Sequence, residues 1–496
     1  MRLHALLRQA LVQFDPAAVA DVEVSAVTDD SRQVRPGTLF VARPGTKADG
    51  AAFARDAVAA GAIAVLSPAR LETGDVPNIV TADAAAACSR LAHAMAGDPS
   101  KAVKTLAVTG TNGKTTTAYL IRHILNHVGK KCGMVGTVAV DDGGPAEAEA
   151  QMTTPGAVEV ARLLSRMRDN KCRSCAIEAS SHALDQGRLA GVTLAGAAFT
   201  NLTLDHLDYH VTMADYAAAK AKLFRQLPEG AVAAVNADDR HHAQMIEQCA
   251  GKVVTFGIAA AADYRAADVA ASAAGTSFVL HTPDGQTEVN LLLIGRHNVE
   301  NALAAITLCC EAMGVSIHQA AAALATATGA PGRLQGVREG QPFAVLIDYA
   351  HTDDALHNVL TAVRPLTRGK LRVVFGCGGD RDKTKRPRMA HVAQQLADAV
   401  YLTSDNPRTE DPKAILADVM AGLPLDNTRP IVVQPDRRLA IERALSDAGP
   451  GDCVLIAGKG HENYQIVGAT KHHFDDVEEA TRVLRLRKAS GAARAG

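Results

Sequence analysis

The 496-residue chain predicts about three domains at a typical ~150 residues each, and its 47% hydrophobic and 21% charged residues exclude a wholly disordered protein. Its 52 Lys and Arg nearly cancel its 53 Asp and Glu, and only 3% of residues are aromatic, which disfavours a nucleic-acid binder that relies on a basic surface or on base stacking. No apolar run reaches the ~18–20 residues that a membrane-spanning helix needs, so we expect a cytoplasmic protein.

The first predicted domain, residues 1–100, combines short helix and strand patterns. Its start, MRLHALLRQALVQFDP, is typical of a short amphipathic helix. It does not resemble a signal peptide, because charged residues interrupt the apolar core that a signal peptide needs. Two apolar runs, TLFVA at 38–42 and AIAVL at 62–66, predict β-strands, and the helical stretch between them ends at Gly61.

The second and third predicted domains, residues 101–332 and 333–496, continue this alternation. The second opens with the strand-like KTLAVTG, a Gly-rich turn and a helix from Lys114 to Val128. After the linker-like GAPGRLQG, the runs AVLIDYA, LRVVFGCGG, DAVYLTSD and DCVLIAGKG predict strands. The predicted fold is therefore α/β, with a mostly parallel central sheet and a Rossmann-like third domain. We expect the basic tail RLRKASGAARAG to be frayed.

The nine cysteines are thinly spread, and their odd number favours reduced thiols over a disulfide framework. Cys172 and Cys175 form one CxxC, but no second pair follows at the spacing of a zinc ribbon. We interpret them as ordinary core or surface cysteines.

The sharpest motif is TGTNGKTT, which lies between an apolar strand and a helix. Backbone N–H groups at a helix N-terminus favour anions, Lys114 adds a charge for the β- and γ-phosphates, and the Thr115 hydroxyl can ligate Mg²⁺. The general phosphate-loop pattern has a glycine five residues before Gly113, where this chain has Val108. The motif favours a nucleotide site over an ordinary glycine turn. The predicted ATP contacts in it are Gly110, Thr111, Asn112, Gly113, Lys114, Thr115 and Thr116.

This variant of the loop resembles that of the Mur ligase family, and further motifs of the family extend over nearly the full length. They are DDSR at 29–32, TTP at 153–155, EASSHALDQGR at 178–188, NLTLDHLDYH at 201–210, YAAAKAKLF at 216–224, GRHNVENALAA at 295–305, DYAHTDDAL at 348–356, GGDRDKTKRP at 378–387, DNPR at 405–408 and GKGHE at 458–462. Within the family, the set is similar to the ligases that add the third residue of the peptidoglycan stem peptide.

The resemblance implies an ATP-dependent amide ligase that joins meso-2,6-diaminopimelate to UDP-N-acetylmuramoyl-L-alanyl-D-glutamate through an acyl phosphate. Because such a site holds two anionic substrates together, it needs Mg²⁺ as cofactor and fixed cations. Its partners would be these small molecules, without nucleic acid or membrane insertion, and we expect a monomer.

By the same resemblance, Lys114, Glu178, His206 and Lys220 are catalytic, and Thr115, Glu178, His206 and Lys220 hold magnesium. Lys220 would be carbamylated by CO₂, which converts a cation into an anion, while Lys222 serves as a control. Taken alone, Glu178 could be a helix N-terminal acid, His206 a surface histidine and Lys220 a solvated lysine.

Four further ATP contacts are implied by the family's motifs, near His297 and at the linker into the third domain. They are Asn298, Asn301, Arg333 and Asp348. Asn298 could instead be a helix N-cap, and Arg333 and Asp348 could form structural salt bridges.

The first domain is expected to bind the UDP end of the substrate, and residues of the second to hold the muramoyl-peptide. The matching positions are Ser31, Thr46, Lys47, Ala48, Thr153, Thr154, Ser180, Gln186 and Arg188. Hydroxyls, an amide and a guanidinium suit a sugar and a peptide carboxylate.

The DNPR motif is the most discriminating feature, because lysine-adding relatives generally lack its arginine. Arg408 can bind the second carboxylate of diaminopimelate bidentately, and Glu462 suits the distal ammonium. The predicted pocket comprises Arg381, Asp405, Asn406, Pro407, Arg408, Gly458 and Glu462. DNPR alone could be merely a turn.

Two other kinds of function are compatible with parts of the sequence. The chain could add lysine or another diamine, or act as a folylpolyglutamate synthase, although DDSR and DNPR count against both. It could also be a nucleotide-dependent regulatory protein without ligase activity.

Overall fold

The computed structural model describes residues 1–45, 48–272, 275–424 and 429–495. The chain forms two compact units: the first comprises Met1–Ala267, Val279–Thr287 and Glu300–Leu324, and the second comprises Asp268–Phe278, Glu288–Val299 and the residues from Ala325 onward. The predicted α/β fold is confirmed. The domain boundaries at residues 100 and 332 stay a prediction.

A small parallel sheet occupies the N-terminal part of the first unit. Its strands lie in the order β1-β2-β3-β4, with bounds β1 Ala26–Thr28, β2 Thr38–Val41, β3 Ala62–Ser67 and β4 Asn78–Val80. The helices are α1 Leu3–Gln9, α2 Ala54–Ala59 and α3 Ala84–Met95. The predicted N-terminal helix is α1, whose Leu3, Leu6 and Leu7 are wholly buried in the core against this sheet.

The larger sheet begins with β5, and its described strands lie in the order β15-β14-β13-β12-β11-β10-β5-β9-β6-β7-β8. The bounds are β5 Lys104–Thr109, β6 Cys132–Val135, β7 Ala139–Asp141, β8 Ala148–Glu149, β9 Ser174–Glu178, β10 Leu194–Phe199, β11 Val232–Asn236, β12 Lys252–Gly257, β13 Tyr264–Ser272, β14 Gly275–Thr282 and β15 Gly285–Leu291. Strands β12, β11, β10, β5, β9 and β6 pair in parallel.

Helices connect these strands as the alternation of patterns predicts. They are α4 Lys114–His127, α5 Ala157–Asp169, α6 Ser181–Asp185, α7 Leu207–His210, α8 Met213–Arg225, α9 His242–Ile246, α10 Arg296–Met313 and α11 Ile317–Leu324. Because the strands are parallel, their carboxyl ends meet at one edge of the sheet. The phosphate loop after β5 and Glu178 at the end of β9 therefore lie side by side at that edge.

The second unit contains a six-stranded sheet in its described residues, in the order β16-β17-β21-β18-β19-β20, and a separate two-stranded hairpin. The strands are β16 Gln335–Gly336, β17 Ala344–Asp348, β18 Leu371–Phe375, β19 Ala399–Leu402, β20 Ile431–Val433 and β21 Cys453–Ala457, with the hairpin β22 Tyr464–Val467 and β23 Thr470–His473. The helices are α12 Asp353–Val363, α13 Lys385–Leu396, α14 Pro412–Met420, α15 Arg437–Ser446 and α16 Asp476–Ala495. Helix α16 continues through the basic tail as far as Ala495, and fraying of this end stays a prediction.

In the described ranges, none of the helices combines the length and the apolar character needed to cross a bilayer. All nine cysteines are free. Cys172 and Cys175 are buried, and burial raises the pKa of both thiols, as expected for core cysteines.

Candidate active site

The phosphate loop depends on two glycines in the left-handed region. Gly110 has a φ of 148° and Gly113 a φ of 88°, and a Cβ added to Gly113 would lie 2.2 Å from Asn301 Oδ1. Asn301, on α10, also accepts a 3.4 Å hydrogen bond from the Thr117 hydroxyl. The predicted residue Asn301 therefore packs directly against the loop. Val108 occupies the position of the first glycine in the general phosphate-loop pattern. In this chain that position still belongs to strand β5, where Val108 pairs with Glu178.

Two lysine side chains converge on one carbonyl of this loop. Lys114 Nζ donates to the carbonyls of Gly110 and Thr111, both at 2.8 Å, and Lys220 Nζ donates to Gly110 O at 2.8 Å. Lys220 is 1% exposed, and burial, with a contribution from Lys114, lowers its pKa well below the ordinary value. The interpretation of Lys220 as a solvated lysine is therefore wrong. Lys222 instead forms a half-exposed ion pair with Asp185 at 2.8 Å.

Glu178 is wholly buried at the end of β9, so it is not a helix N-terminal acid. Its Oε2 accepts hydrogen bonds from the Thr115 hydroxyl at 2.9 Å and the Thr137 hydroxyl at 3.0 Å, and its Oε1 accepts from Thr137 N at 2.7 Å. Burial raises the pKa of the Glu178 carboxyl, while these hydrogen bonds and Lys114 act in the opposite direction. The carboxylate is thus held in one orientation beside the first turn of α4.

His206 lies just before α7 in the left-handed region, with a φ of 54°. Its half-exposed ring meets the His182 ring edge-to-face, with centroids 4.9 Å apart, and the Tyr216 ring at 5.9 Å. The Tyr216 hydroxyl lies 3.2 Å from the Thr111 hydroxyl. His206 is therefore linked to the phosphate loop through Tyr216, and its role as a metal ligand stays a prediction.

The oxygen donors at this edge fit magnesium. The Thr115 hydroxyl and the Glu178 carboxylate are 2.9 Å apart, and Mg²⁺ prefers oxygen ligands of these types. A buried carboxylate whose pKa is raised by burial is stabilised by an adjacent cation. Among the described residues, no group of three or more His, Cys, Asp or Glu side chains could hold a metal ion, but the predicted set contains only two residues of these types.

Three further predicted ATP contacts lie in the second unit. Asn298 is the third residue of α10 and not its N-cap, and its amide donates to Ile294 O at 2.9 Å. Asp348 accepts from the backbone N–H groups of Leu334 at 2.8 Å and Ala350 at 2.9 Å, and burial raises the pKa of its carboxyl. The guanidinium carbon of Arg333 lies 5.2 Å from the centroid of the Tyr349 ring.

A cavity of about 790 Å³ in the first unit is lined by four of the residues predicted for the UDP-linked substrate. Ser31, Ala48, Gln186 and Arg188 all line it. Arg188 is oriented by hydrogen bonds to Thr154 O at 2.6 Å and to Gln186 Oε1 at 2.8 Å. The predicted residues Thr46 and Lys47 lie outside the described residues.

The two threonines and the serine predicted at the muramoyl-peptide lie beside Glu178 and do not line this cavity. The Thr154 hydroxyl donates to Glu178 O at 2.6 Å and accepts from Ser180 N at 3.1 Å. The Thr153 hydroxyl lies 3.0 Å from that of Thr137, which in turn contacts the Glu178 carboxylate. Thr154 therefore links Glu178 to Arg188, which lines the cavity, while Thr153 reaches the carboxylate through Thr137.

A second site lies in the second unit, after strands β18, β19 and β21. The Asn406 amide donates to Glu462 Oε2 at 2.9 Å, and a Cβ added to Gly458 would lie 2.9 Å from Asp405 Oδ2. Arg408 has a φ of 52° and donates from Nη1 to Gly379 O at 2.8 Å.

The same edge positions the remaining predicted residues of this site. Arg381 is exposed, with its Cγ 3.8 Å from a Cβ added to Gly378, and Pro407 O lies 1.9 Å from a Cβ added to Gly379. DNPR is therefore more than a turn, because its residues pack against the ends of two neighbouring strands.

Family models match three segments of the chain: "Mur ligase family, catalytic domain" at residues 23–96, "Mur ligase middle domain" at 108–309, and "Mur ligase, glutamate ligase domain" at 332–460. The chain belongs to the Mur ligase family. This ligase is 45% identical to the "UDP-N-acetylmuramoyl-L-alanyl-D-glutamate--2,6-diaminopimelate ligase" of Thermosynechococcus vestitus over 98% of both chains. It is 43% identical to the enzyme of that name from Gloeobacter violaceus over 99% of both chains. A solved structure of a ligase with the same name is 35% identical, with a TM-score of 0.74, and covers 97% of this chain and 99% of that one.

Several residues of this Mur ligase site were not singled out from the sequence. Thr137, which holds Glu178, follows β6 in no recognisable motif, and Arg43 lines the substrate cavity while its guanidinium is 2.7 Å from Asp29. Lys459 is wholly buried beside the second site, although it lies within the quoted GKGHE motif. Its place within GKGHE was the only feature of the sequence that could have pointed to Lys459.

We expect Gly113→Ala to weaken ADP binding at least tenfold, measured by calorimetric titration. The added methyl group would meet Asn301 Oδ1 and force the phosphate loop to shift. Gly129→Ala is the matched control, because Gly129 also has a positive φ, of 73°, but its Cβ would meet nothing within 4 Å. Gly129→Ala should cost about 1 kcal/mol of stability and leave ADP affinity unchanged. Wild-type affinity in Gly113→Ala would contradict this geometry of the loop.

Proposed function

We propose that this Mur ligase joins meso-2,6-diaminopimelate to UDP-N-acetylmuramoyl-L-alanyl-D-glutamate with the consumption of ATP. The observation that carries the proposal is the convergence of the phosphate loop, Lys220 and the buried Glu178 at one sheet edge, in a chain 45% identical over 98% of its length to a ligase named for these compounds. We place the enzyme in the cytoplasm, as a monomer of three domains that meets only small molecules.

The reaction begins with activation of the substrate carboxylate. A carboxylate oxygen attacks the γ-phosphorus of ATP, and the bond from this phosphorus to the β,γ-bridging oxygen breaks. The products of this step are ADP and an acyl phosphate. Lys114 supplies a fixed positive charge at this point, because its side chain is held against the loop by two carbonyls. Fixed cations stabilise the charge on a transferring phosphoryl group without reorganisation.

The amine of diaminopimelate then attacks the acyl carbon. A tetrahedral intermediate forms, the carbon–oxygen bond to phosphate breaks, and one proton is lost from the nitrogen as the amide forms. Thr153, Thr154 and Ser180 support this step by orienting the peptide end of the substrate next to Glu178. The 790 Å³ cavity holds the remainder of the UDP-linked substrate.

Thr115, Glu178, His206 and Lys220 hold the cofactor in this proposal. Magnesium, when bound, neutralises phosphate charge and so permits two anions to approach each other. Thr137 fixes both oxygens of Glu178, which keeps the carboxylate pointed toward Thr115. The other predicted ATP contacts are Asn298, Asn301, Arg333 and Asp348.

Lys220 acts as a carbamate in this scheme. Its ammonium first loses one proton, and the neutral amine then attacks the carbon of CO₂. A nitrogen–carbon bond forms as one carbon–oxygen π bond opens, and a second proton is released, so that a cation becomes an anion. Burial beside Gly110 O and Lys114 supports the proposal, because an ammonium is costly there and an anion is attracted by Lys114.

The second site selects the amino acid. Arg408 pairs with the distal carboxylate of diaminopimelate, and Glu462 accepts its distal ammonium, with Arg381, Asp405, Asn406, Pro407 and Gly458 forming the rest of the pocket. Lysine lacks the distal carboxylate, so it leaves the Arg408 guanidinium unpaired. The hydrogen bond of Arg408 to Gly379 O supports this role, because it limits where the guanidinium can point.

The function is tested by phosphate release from ATP in the presence of the UDP-muramoyl-dipeptide. We expect release that depends on diaminopimelate and exceeds that with lysine at least a hundredfold. A lysine preference would replace the assigned amino acid, and slow turnover that ignores both substrates would favour the nucleotide-dependent regulatory protein.

We expect Lys220→Ala to lower kcat on the order of a hundredfold or more, since it removes the proposed anion beside magnesium. Short-chain carboxylates such as acetate should restore part of the activity. Lys222→Ala, which removes only a half-exposed ion pair with Asp185, should stay within about twofold of wild type. Equal losses in the two variants would exclude the carbamate role.

Arg408→Ala should raise the KM for diaminopimelate about a hundredfold, because a half-made charged pair costs roughly 2–5 kcal/mol. The KM values for ATP and the UDP-linked substrate should change little, and residual activity with lysine should not fall in parallel. Arg388→Ala is the matched control, since Arg388 forms an exposed ion pair with Asp353. Unchanged diaminopimelate kinetics in Arg408→Ala would refute the specificity assignment.

A further inference from the structure

A wholly buried lysine lies beneath the amino-acid pocket and has no role in the scheme above. Lys459 is the second residue after β21, and its ammonium donates to Asn406 Oδ1 at 3.1 Å and to Tyr464 O at 2.5 Å. The same Nζ lies 3.8 Å from Asp405 Oδ1 and 3.8 Å from Glu462 Oε2. One ammonium therefore contacts three residues of the pocket and the start of hairpin strand β22.

The contacts of Lys459 determine how the Asn406 amide is oriented. Asn406 Oδ1 accepts from Lys459 Nζ and from Ile466 N at 2.9 Å, so its Nδ2 faces Glu462 Oε2 at 2.9 Å. An amide has an acceptor end and a donor end, and two donors on one side fix which way round it lies. Without the ammonium, Asn406 loses a donor that orients it, and Glu462 loses its fixed partner.

The hairpin extends this network to Arg408. The Arg408 N–H donates to Ile466 O at 3.0 Å, and Gly468 N donates to Arg408 O at 2.7 Å. Strand β22 is thus hydrogen-bonded both to the Asn406 side chain and to the backbone of Arg408. Because Lys459 binds the carbonyl of Tyr464 at the start of that strand, it connects the carboxylate half of the pocket to its guanidinium half.

Counted without the two arginines of the pocket, Arg381 and Arg408, the charges around Lys459 are one positive charge short. Asp405 and Glu462 contribute two negative charges and Lys459 contributes one positive charge, which leaves a net charge of −1. Arg437, also wholly buried, is occupied by Asp476 at 2.6 Å. Burial lowers the pKa of the Lys459 ammonium, and Asp405 acts in the opposite direction. A ligand ammonium at Glu462 would restore the balance.

We propose that Lys459 is a positioning residue that sets the selectivity for the distal head of diaminopimelate, an inference that rests on the proposed function. It holds Asn406 and Glu462 so that a carboxylate meets the substrate ammonium, and it anchors the hairpin that places Arg408 at the substrate carboxylate. Lys459 acts through these residues and does not itself touch the substrate.

The test compares Lys459→Met with Lys471→Met in the full-length enzyme. Lys459→Met removes the ammonium but keeps an unbranched side chain, and we expect the KM for diaminopimelate to rise at least tenfold. The KM values for ATP and the UDP-linked substrate should stay within twofold, kcat within threefold, and the preference for diaminopimelate over lysine should fall. Lys471 is the matched control, because it also lies beside Tyr464 but is exposed. Its ammonium is 3.7 Å from the centroid of the Tyr464 ring. Lys471→Met should stay within twofold of wild type in every constant.

Two further variants keep the test decisive if Lys459→Met does not fold. Lys459→Gln retains a hydrogen-bond donor without charge, and Lys459→Arg retains the charge, so both should show a smaller rise confined to the KM for diaminopimelate. An unchanged KM for diaminopimelate in a folded variant, or an equal rise in all three KM values, would overturn the inference alone. A wild-type enzyme without diaminopimelate-dependent phosphate release would instead overturn the proposed function, and this inference with it.

Discussion

One backbone carbonyl, that of Gly110, accepts hydrogen bonds from two lysines, and the chemistry of the central site depends on this contact. Two ammonium groups at one oxygen would repel each other, and the Lys220 nitrogen is also buried away from water. Burial and Lys114 both lower the pKa of Lys220, which favours the uncharged amine that the proposed carbamylation requires.

The two sites obey the same architectural rule although their ligands differ. Each lies where parallel strands end side by side: β5 and β9 in one unit, and β18, β19 and β21 in the other. Glycines in the left-handed region, Gly113 and Gly458, let neighbouring side chains approach the backbone closely at both edges. Rigid strands bring the polar groups together, and the loops that follow supply chemical variety.

The alternation of apolar strands and amphipathic helices was enough to predict the α/β fold, because each pattern is local. The motifs also predicted which polar residues meet, since Glu178 and Thr115, or Asn406 and Glu462, lie in different segments and are in contact. Burial could not be predicted in the same way. Taken alone, Lys220 could be a solvated lysine, and Lys459 was not singled out, because only packing from distant segments encloses these two side chains. Thr137 was missed for the same reason: its contact with Glu178 is made across 41 residues.

The hairpin β22–β23 is a two-stranded sheet separate from the larger ones. Its residues face solvent along β23, yet its first strand is bonded to Asn406 and Arg408. In the proposed scheme, amino-acid choice is thus built partly on a peripheral module, none of whose strand residues belongs to a hydrophobic core of the described residues. Substitutions in such a module could change the amino-acid preference between lineages without changing the residues of the phosphate loop.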